Sequence, residues 1–328
     1  MKKVLIIQTA FIGDVILSTS LIASLKASNP SFLIDVLVRK GNESLLQNNP
    51  AIENIHVWDK SQHKISSIFQ MVRKIRSEKY DLIINLQRFA SSGIMTVLGG
   101  ATESRGFSKN PLSIFFSKKY THQIDPANPV HETSRNFSVV ADLCEGTIHR
   151  PILFPSEEDF KWVEKYKSTE YICLAPASIW FTKQLPFEKW VELIQQYHLK
   201  FPSHAIYILG GKADAALGDK LIHAVNCAKL NNLCGQLNFM QSAALMKGAR
   251  MNYVNDSGPL HICSAMNAPV TAFFCSTTPA FGFGPLSDQS TIVESQLELA
   301  CKPCGLHGYK SCPKGHFNCG KSIQIHIQ

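Results

Sequence analysis

The stretches "KVLIIQ" at residues 3–8 and "GDVILSTSLIASLKAS" at residues 13–28 decide the fold. The first is an unbroken apolar run, which is typical of a β-strand buried on both faces. The second has apolar residues at helical spacing, at Leu17, Leu21, Ile22 and Leu25. A buried strand that leads directly into an amphipathic helix predicts a parallel sheet with helices on its faces.

The same alternation of strands and helices continues along the rest of the chain, in two series. Strand patterns "FLIDVLV", "ENIHVW" and "YDLIINLQ" follow, with a basic helix between Lys60 and Lys79. After "TIHRPILFPSEEDF", which we predict to be a loop, strands "YICLAPA", "AIYILGG", "NLCG", "MNYVND" and "PVTAFFC" alternate with helices. We predict an α/β fold of two Rossmann-like parallel-sheet domains that face a central cleft. The predicted domains are 1–155 and 156–300, followed by a cysteine-rich segment, 301–328.

Charge and hydropathy narrow the class of protein. The 328 residues carry a formal net charge of +8, and residues 1–155 hold +6 of it. No apolar run approaches the roughly 20 residues that a membrane span needs, which predicts a cytoplasmic protein. The basic helix is either a solvated surface or a surface that attracts an anionic partner. Because no nucleic-acid motif accompanies it, we expect a membrane surface or an anionic glycolipid as partner and no nucleic acid.

Polar residues follow several predicted strands, where parallel sheets bind ligands. Asp14 is either a helix cap or a general base that takes a proton from an acceptor hydroxyl. Its loop has one glycine, so the dinucleotide fingerprint is absent. Lys183 is either a solvated loop lysine or a cation for a leaving diphosphate. No Asp-x-Asp occurs, so we expect no catalytic divalent metal and no catalytic cofactor.

The remaining candidates lie after three strands of the second domain. Ser178 and Thr182 offer hydroxyl donors, and in "LGGKAD" the turn at Gly211 precedes Asp214, which can accept hydrogen bonds from ribose hydroxyls. The stretch "VNDSGPLHI" at residues 254–262 predicts the end of a strand and the start of a helix, where backbone N–H groups can bind an anion. His261, within it, is either a packing residue or a ligand contact.

These motifs, taken in order, resemble the ADP-heptose:lipopolysaccharide heptosyltransferases, glycosyltransferase family nine. The motifs are "GDVILSTSLI" (13–22), "YDLIINLQ" (80–87), "GGATESRGF" (99–107), "PASIWFTKQLPFEKW" (176–190), "LGG" (209–211), "NLCGQ" (232–236) and "NDSGPLHICSAMNAPVTAFF" (255–274). The resemblance implies a GT-B architecture, with the acceptor on the first domain and the nucleotide sugar on the second. It also implies metal-independent transfer that inverts the anomeric carbon.

The same resemblance implies roles for particular residues. Asp14 would be the catalytic base and Lys183 would contact the donor phosphates. Asp256 would hold sugar hydroxyls, while Ser257 and Gly258 would bind the diphosphate. The donor set is Ser178, Thr182, Lys183, Gly211, Asp214, Asp256, Ser257, Gly258 and His261, and the acceptor set is Gly13, Arg88 and Arg105. The chain departs from the family pattern at Leu185-Pro186 and Pro176-Ala177-Ser178, which leaves the donor sugar open.

The C-terminal segment contains four cysteines, Cys301, Cys304, Cys312 and Cys319, in the spacing C-x2-C-x7-C-x6-C. Four thiolates suggest a structural zinc site, although this spacing fits no standard zinc finger. Reduced packing cysteines or a disulfide are the alternatives. The resemblance implies transfer of heptose from ADP-heptose to the inner core of lipopolysaccharide, and with the basic first domain we expect an enzyme in peripheral contact with the inner membrane. The alternatives are transfer from another nucleotide sugar, or non-catalytic binding of a nucleotide sugar or glycolipid.

Overall fold

Two parallel β-sheets, each covered by helices, form the framework of the protein. The computed structural model describes residues 1–60 and 64–327. The described chain divides into two units, of which the first is Met1–Asp125 with Val130–Phe154 and the second is Pro126–Pro129 with the chain from Pro155 onward. The change of unit thus falls between Phe154 and Pro155, where the sequence predicted a boundary near residue 155.

The first unit contains a six-stranded sheet in the order β3-β2-β1-β4-β5-β6, and every pair is parallel. Its elements are β1 (Lys3–Ile7), α1 (Ile12–Ser28), β2 (Leu33–Arg39), β3 (Asn54–Trp58), α2 (Lys64–Glu78), β4 (Leu82–Asn85), α3 (Ala90–Leu98), β5 (Glu103–Phe107), β6 (Lys118–Tyr120) and α4 (Glu132–Phe137). The predicted basic helix corresponds to α2. Residues 61–63 of that prediction lie outside the described residues.

The second unit repeats this topology, with the parallel order β12-β11-β10-β7-β8-β9. Its elements are α5 (Glu157–Val163), β7 (Tyr171–Ala175), α6 (Phe187–Lys200), β8 (Ala205–Ile208), α7 (Ala215–Ala224), β9 (Leu230–Asn232), α8 (Phe239–Lys247), β10 (Met251–Asn255), α9 (Gly258–Met266), β11 (Val270–Phe274), β12 (Ser290–Glu294) and α10 (Asn318–Lys321). Two Rossmann-type strand orders confirm the predicted α/β fold class.

Some elements differ from the sequence prediction. The predicted loop 147–160 contains the start of α5, where Ser156 Oγ accepts from the Asp159 N–H and Asp159 Oδ2 accepts from the Ser156 N–H. This reciprocal capping starts a helix directly after the domain boundary. Strand β9 begins two residues before the predicted "NLCG". Strands β5, β6 and β12 were not predicted, because they carry polar residues in place of an apolar run.

The cysteine-rich segment is part of the second unit. Phe317, Cys319, Ile323 and Ile325 are buried in the same apolar core as Trp190 on α6. Upstream, Lys302 Nζ donates to the Phe274 carbonyl at 3.0 Å. The segment therefore packs as a strap across the second sheet, although its last residue, 328, lies outside the described residues. None of the helices in the described chain is long and apolar enough to cross a membrane.

Both sheets have their topological switch point beside the central strand. In the first sheet β1 lies between β2 and β4, and in the second sheet β7 lies between β8 and β10. At such a point the connections leave in opposite directions and open a crevice beyond the carboxyl ends of the strands. The residues after β1 and β4, and those after β7 and β10, are therefore the positions where each unit is built to bind a ligand.

Candidate functional site

In the first unit, Asp14 lies in the first turn of α1, directly after β1. Its carboxyl is partly buried, and this burial, reinforced by the negative charge of Glu132, raises its pKa to about 6. The positive charge of Lys109 and the backbone N–H groups of Asp14 and Phe11 act in the opposite direction. A carboxylate whose pKa is close to neutral is well matched to accept a proton in catalysis.

The groups around Asp14 come from distant parts of the chain. Glu132, at the start of α4, is buried, and its Oε2 lies 3.0 Å from His122 Nε2 and accepts from Arg135 Nε at 2.8 Å. Burial acts to raise the pKa of Glu132, but His122 and Arg135 outweigh it and hold this pKa below the usual range. Glu132 therefore stays ionised and keeps the surroundings of Asp14 negative.

Lys109 follows β5 and supplies positive charge near Asp14. Desolvation by the surrounding protein lowers the pKa of its ammonium to about 8, and the positive charges of Arg88 and Arg135 act in the same direction. Glu132 and Asp14 act to raise it. Lys109 and Glu132 were not predicted from the sequence, because neither lies in a local motif and only the fold brings them to Asp14.

Two buried amides connect the strand ends at this switch point. Gln8, after β1, and Gln87, after β4, are hydrogen-bonded to each other through their side chains. Of the predicted acceptor residues, Gly13 lies beside Asp14 in the first turn of α1, and Arg88 is exposed directly after the Gln87 position. Both remain available to a ligand.

Arg105, which the sequence predicted to contact the acceptor, is buried and paired within the first unit. It is 1% exposed, and its guanidinium donates to Glu103, Asp142 and the Val139 carbonyl. A buried guanidinium needs such partners to compensate its lost hydration. Arg105 therefore ties β5 to the segment after α4.

In the second unit, Lys183 and Asp256 form the centre of the site. Lys183 Nζ lies 2.7 Å from Asp256 Oδ2, which also accepts a 2.7 Å hydrogen bond from Thr277 Oγ1. Asp256 follows β10 and is buried, while Lys183 closes a short 3₁₀ turn after β7. The fold thus brings together two residues that the sequence singled out independently.

Asn255 aligns this pair, although the sequence analysis gave it no role. It is fully buried, its Oδ1 accepts from the Leu185 N–H at 2.8 Å, and its Nδ2 donates to the Pro176 carbonyl at 2.8 Å. These bonds join the end of β10 to both ends of the loop that carries Lys183. The sequence did contain a signal for Asn255, because it is the first residue of the motif "NDSGPLH".

The start of α9 completes the second site. Ser257 is its N-cap residue without a side-chain capping hydrogen bond, and Gly258 is partly exposed in its first turn. A helix start of this kind places backbone N–H groups and the positive end of the helix dipole next to Asp256. His261 is buried one turn further on, with its ring edge towards Phe283 at 6.3 Å between centroids.

The other predicted donor residues are distributed around this centre. Ser178 is partly exposed after β7, and Gly211 is exposed after β8. Asp214 caps the following turn, because its Oδ2 accepts from the Gly211 N–H at 2.8 Å. Thr182 is 1% exposed and its hydroxyl accepts from Ser276 Oγ and from the Tyr309 N–H. Thr182 therefore holds the C-terminal strap, and its predicted contact with the donor stays a prediction.

The strap reaches Lys183 directly. Gly308 has φ +76°, and a Cβ added there would lie 2.9 Å from Lys183 Cγ and 3.0 Å from Thr182 Oγ1. The strap backbone therefore forms the surface against which the Lys183 side chain packs.

The four strap cysteines have different surroundings. Cys319 is buried, and desolvation raises its pKa to about 11. The Sγ of Cys301 lies 3.8 Å from His316 Nε2. Across residues 1–60 and 64–327, no group of three or more His, Cys, Asp or Glu side chains is arranged to hold a metal ion. All ten cysteines are unbridged, and the zinc site suggested by the spacing of the four strap cysteines stays a prediction.

Comparison with known proteins places this chain in a family. The model of glycosyltransferase family 9 (heptosyltransferase) matches residues 68–309. Lipopolysaccharide heptosyltransferase 3 of Escherichia coli is 25% identical over 285 residues, which cover 83% of each chain.

Solved structures share the fold. The structure of E. coli ADP-heptose lps heptosyltransferase II has a TM-score of 0.78 at 21% identity and covers 94% of this chain and 92% of its own. E. coli heptosyltransferase WaaC, solved with ADP-2-deoxy-2-fluoro heptose, has a TM-score of 0.71 at 18% identity and covers 89% and 93%. The resemblance seen in the sequence motifs is confirmed, and the chain belongs to glycosyltransferase family 9, the heptosyltransferase family.

Proposed function

We propose that this glycosyltransferase transfers heptose from ADP-heptose to the inner core of lipopolysaccharide, without a catalytic metal and with inversion of the anomeric carbon. The observation that carries the proposal is the complementary chemistry of the two switch points. The first presents a carboxylate with a pKa of about 6, and the second a lysine–aspartate pair at a helix start. Relatives named as heptosyltransferases, and one structure solved with an ADP-heptose analogue, support the choice of donor.

The reaction follows from these groups. Asp14 removes the proton of an acceptor hydroxyl, and the hydroxyl oxygen forms a bond to the anomeric carbon. The bond from that carbon to the diphosphate breaks, and ADP leaves with the electron pair. Attack opposite the leaving group inverts the configuration of the anomeric carbon. Asp14 then carries the proton, which it loses to solvent.

Lys183 and the start of α9 act on the leaving group. As the diphosphate departs, negative charge grows on its bridging oxygen, and a nearby ammonium and helix dipole stabilise that charge. This role requires Lys183 to leave Asp256 or to bridge it and the phosphate, which three ammonium protons allow. Asp256 is then available to accept hydrogen bonds from hydroxyls of the sugar, as the family motif implies.

The acceptor we propose is lipid-linked and anionic, so the enzyme works at the cytoplasmic face of the inner membrane. Arg88 and Lys109 are exposed in the basic first unit, and Lys109 is electrostatically coupled to both Asp14 and Arg88. They provide the charge that an acidic saccharide or its phosphates would need.

The first test is calorimetric. Purified protein is titrated with ADP, UDP, GDP and their sugar conjugates in buffer containing EDTA. Preference for ADP and ADP-heptose supports the proposal. Preference for another nucleotide keeps the reaction class and replaces the sugar, while absence of binding to all of them favours a non-catalytic role.

A second measurement tests the stereochemistry and the metal. With ADP-heptose and a purified core acceptor, NMR of the product gives the anomeric configuration. We expect an inverted anomeric carbon and an unchanged rate in EDTA. Retention, or a rate restored only by a divalent cation, contradicts the proposed reaction.

A further inference from the structure

The segment 109–119 of the first unit, "KNPLSIFFSKK", exposes two large apolar side chains between basic residues. Ile114 is 74% exposed and Phe115 is 65% exposed. The residues on either side of this pair, Ser113 and Phe116, are buried. We call the segment the apolar-basic loop. The buried residues therefore anchor the loop to the first unit, while Ile114 and Phe115 at its tip are not packed in the core.

The apolar-basic loop is held by many hydrogen bonds, so its exposed tip is not the result of loose packing. Buried Asn110 donates to the carbonyls of Gln87 at 2.8 Å and Phe89 at 3.1 Å, and accepts from the Leu112 N–H at 3.0 Å. At the other end, Ser104 and Ser117 exchange hydrogen bonds between hydroxyl and backbone N–H. The loop presents Ile114 and Phe115 from a fixed base.

The surroundings of the tip add aromatic and positive groups. Phe89, whose carbonyl Asn110 binds, is 50% exposed, and the Arg88 guanidinium lies 5.3 Å from its ring centroid. Lys109 and Lys119 are exposed at the two ends of the loop. Lys118 is different, because it pairs with Asp142 at 2.7 Å. The surface thus combines exposed aromatic and aliphatic side chains with Arg88, Lys109 and Lys119.

We infer that the apolar-basic loop, together with Arg88 and Phe89, docks this enzyme on a lipid bilayer that contains anionic headgroups. Apolar side chains rimmed by Lys and Arg are the composition that inserts into a membrane interface, since the rings enter the acyl boundary and the cations meet the headgroups. Clusters of exposed apolar residues on a soluble unit mark an interaction surface. The choice of a bilayer as occupant rests on the proposed function, in which the acceptor is a lipid.

The test is co-sedimentation of the full chain with vesicles of phosphatidylethanolamine and phosphatidylglycerol, compared with vesicles of phosphatidylcholine alone. The test variant is Ile114→Ser with Phe115→Ser. The matched control is Leu199→Ser, which removes an exposed aliphatic side chain from α6 of the second unit. A further variant, Ile65→Ser with Phe69→Ser, removes the exposed apolar residues of α2.

We expect binding to anionic vesicles that weakens with salt, a loss of about tenfold or more in the loop variant and no change in the control. Equal binding by the loop variant overturns the inference, as does a loss found only in the α2 variant. The inference is also overturned if the wild-type protein is an oligomer in size-exclusion chromatography and the loop variant is a monomer, because the loop would then bind a second copy of the chain. Vesicle binding needs neither donor nor turnover, so ADP calorimetry on the same variants separates this inference from the proposed function.

Discussion

The two sheets have the same strand order, but their switch points treat a carboxylate in opposite ways. Asp14 in the first unit is partly buried beside Glu132, with a pKa raised to about 6. Asp256 in the second unit is buried against Lys183 and Thr277, each at 2.7 Å. One switch point therefore holds an acid suited to proton transfer, and the other an acid in a direct ion pair with a lysine. Asp14 follows the first strand of its sheet and Asp256 the fourth strand of the other, and the neighbours of each acid decide its chemistry.

The largest effect should come from removing the first acid. In Asp14→Asn we expect turnover to fall by about 10²–10⁴-fold, because no general base remains. Donor affinity should be unchanged, since the donor groups belong to the second unit. The control is Asp59→Asn, which removes a surface acid paired with Lys40 at 2.9 Å. Turnover in Asp14→Asn equal to that of the control would remove Asp14 from the mechanism.

Breaking the ion pair of the second unit should come next. In Lys183→Ala we expect kcat/KM for the donor to fall by about 10²–10³-fold, because the charge on the leaving diphosphate loses its cation. Lys189→Ala is the control, since Lys189 pairs with Glu192 on α6. Lys183→Ala leaves buried Asp256 without its lysine partner, and the double variant Lys183→Ala with Asp256→Asn removes that carboxylate as well. If it regains activity, Lys183 serves only to neutralise Asp256.

The strap offers a finer way to disturb the same lysine. Gly308→Ala places a methyl group against Lys183 Cγ, and we expect a loss of about tenfold in kcat/KM from this displacement. Gly315→Ala is a matched control, because Gly315 has a similar φ of +75° and no heavy atom within 4 Å of the added Cβ. Equal losses in both variants would show that backbone strain, and not contact with Lys183, is responsible.

The raised pKa of Asp14 also predicts a gain in stability when the acid is removed. The folded pKa of about 6 lies above the unfolded value, so ionised Asp14 destabilises the folded protein above pH 6. Asp14→Asn should therefore raise the free energy of unfolding by about 1–3 kcal/mol near pH 8. The gain should fall to about half at pH 5, where folded Asp14 is mostly protonated but unfolded Asp14 is still ionised, and should vanish only below about pH 4. Urea unfolding at the two pH values measures it, and an equal gain at both contradicts the assignment.

The smallest effect concerns the neighbour of Asp14. Since the wild-type base must be ionised, kcat/KM should decline as the pH falls through about 6. Glu132→Gln removes a negative charge that raises this pKa, so the midpoint should move to lower pH by less than about one unit. Glu145→Gln, an exposed acid of the same unit, is the control. An unchanged midpoint in Glu132→Gln would mean that burial alone sets the pKa of Asp14.

The sequence predicted the fold better than it predicted the site. Apolar runs located the central strands except β5, whose "ESRGF" carries polar residues, because most central strands of parallel sheets are buried on both faces and read as apolar runs. The edge strands β6 and β12 were missed, since "KKY" and "STIVE" are partly exposed and carry charges. Lys183 and Asp256 were each proposed from local motifs, and the structure brings them to 2.7 Å.

Other residues show where local pattern fails. Arg105 and Thr182 lie in family motifs, yet both are buried, and each makes hydrogen bonds within its own unit. Glu132 and Lys109, which modify the pKa of Asp14, carry no recognisable motif. Whether a polar side chain faces a ligand or a structural partner depends on residues distant in sequence.

By itself, the sequence determined the two parallel-sheet units and the family, because periodicity and motif order are properties of neighbouring residues, while the switch points came from the strand order of the structure. Only the tertiary structure decided which acid contacts a lysine and which has a raised pKa, since charge and burial act through space. It also decided that the cysteine-rich segment packs against the second unit with Gly308 beside Lys183. The spacing of the cysteines can be read from the sequence, but the positions of their sulfur atoms depend on how the segment packs.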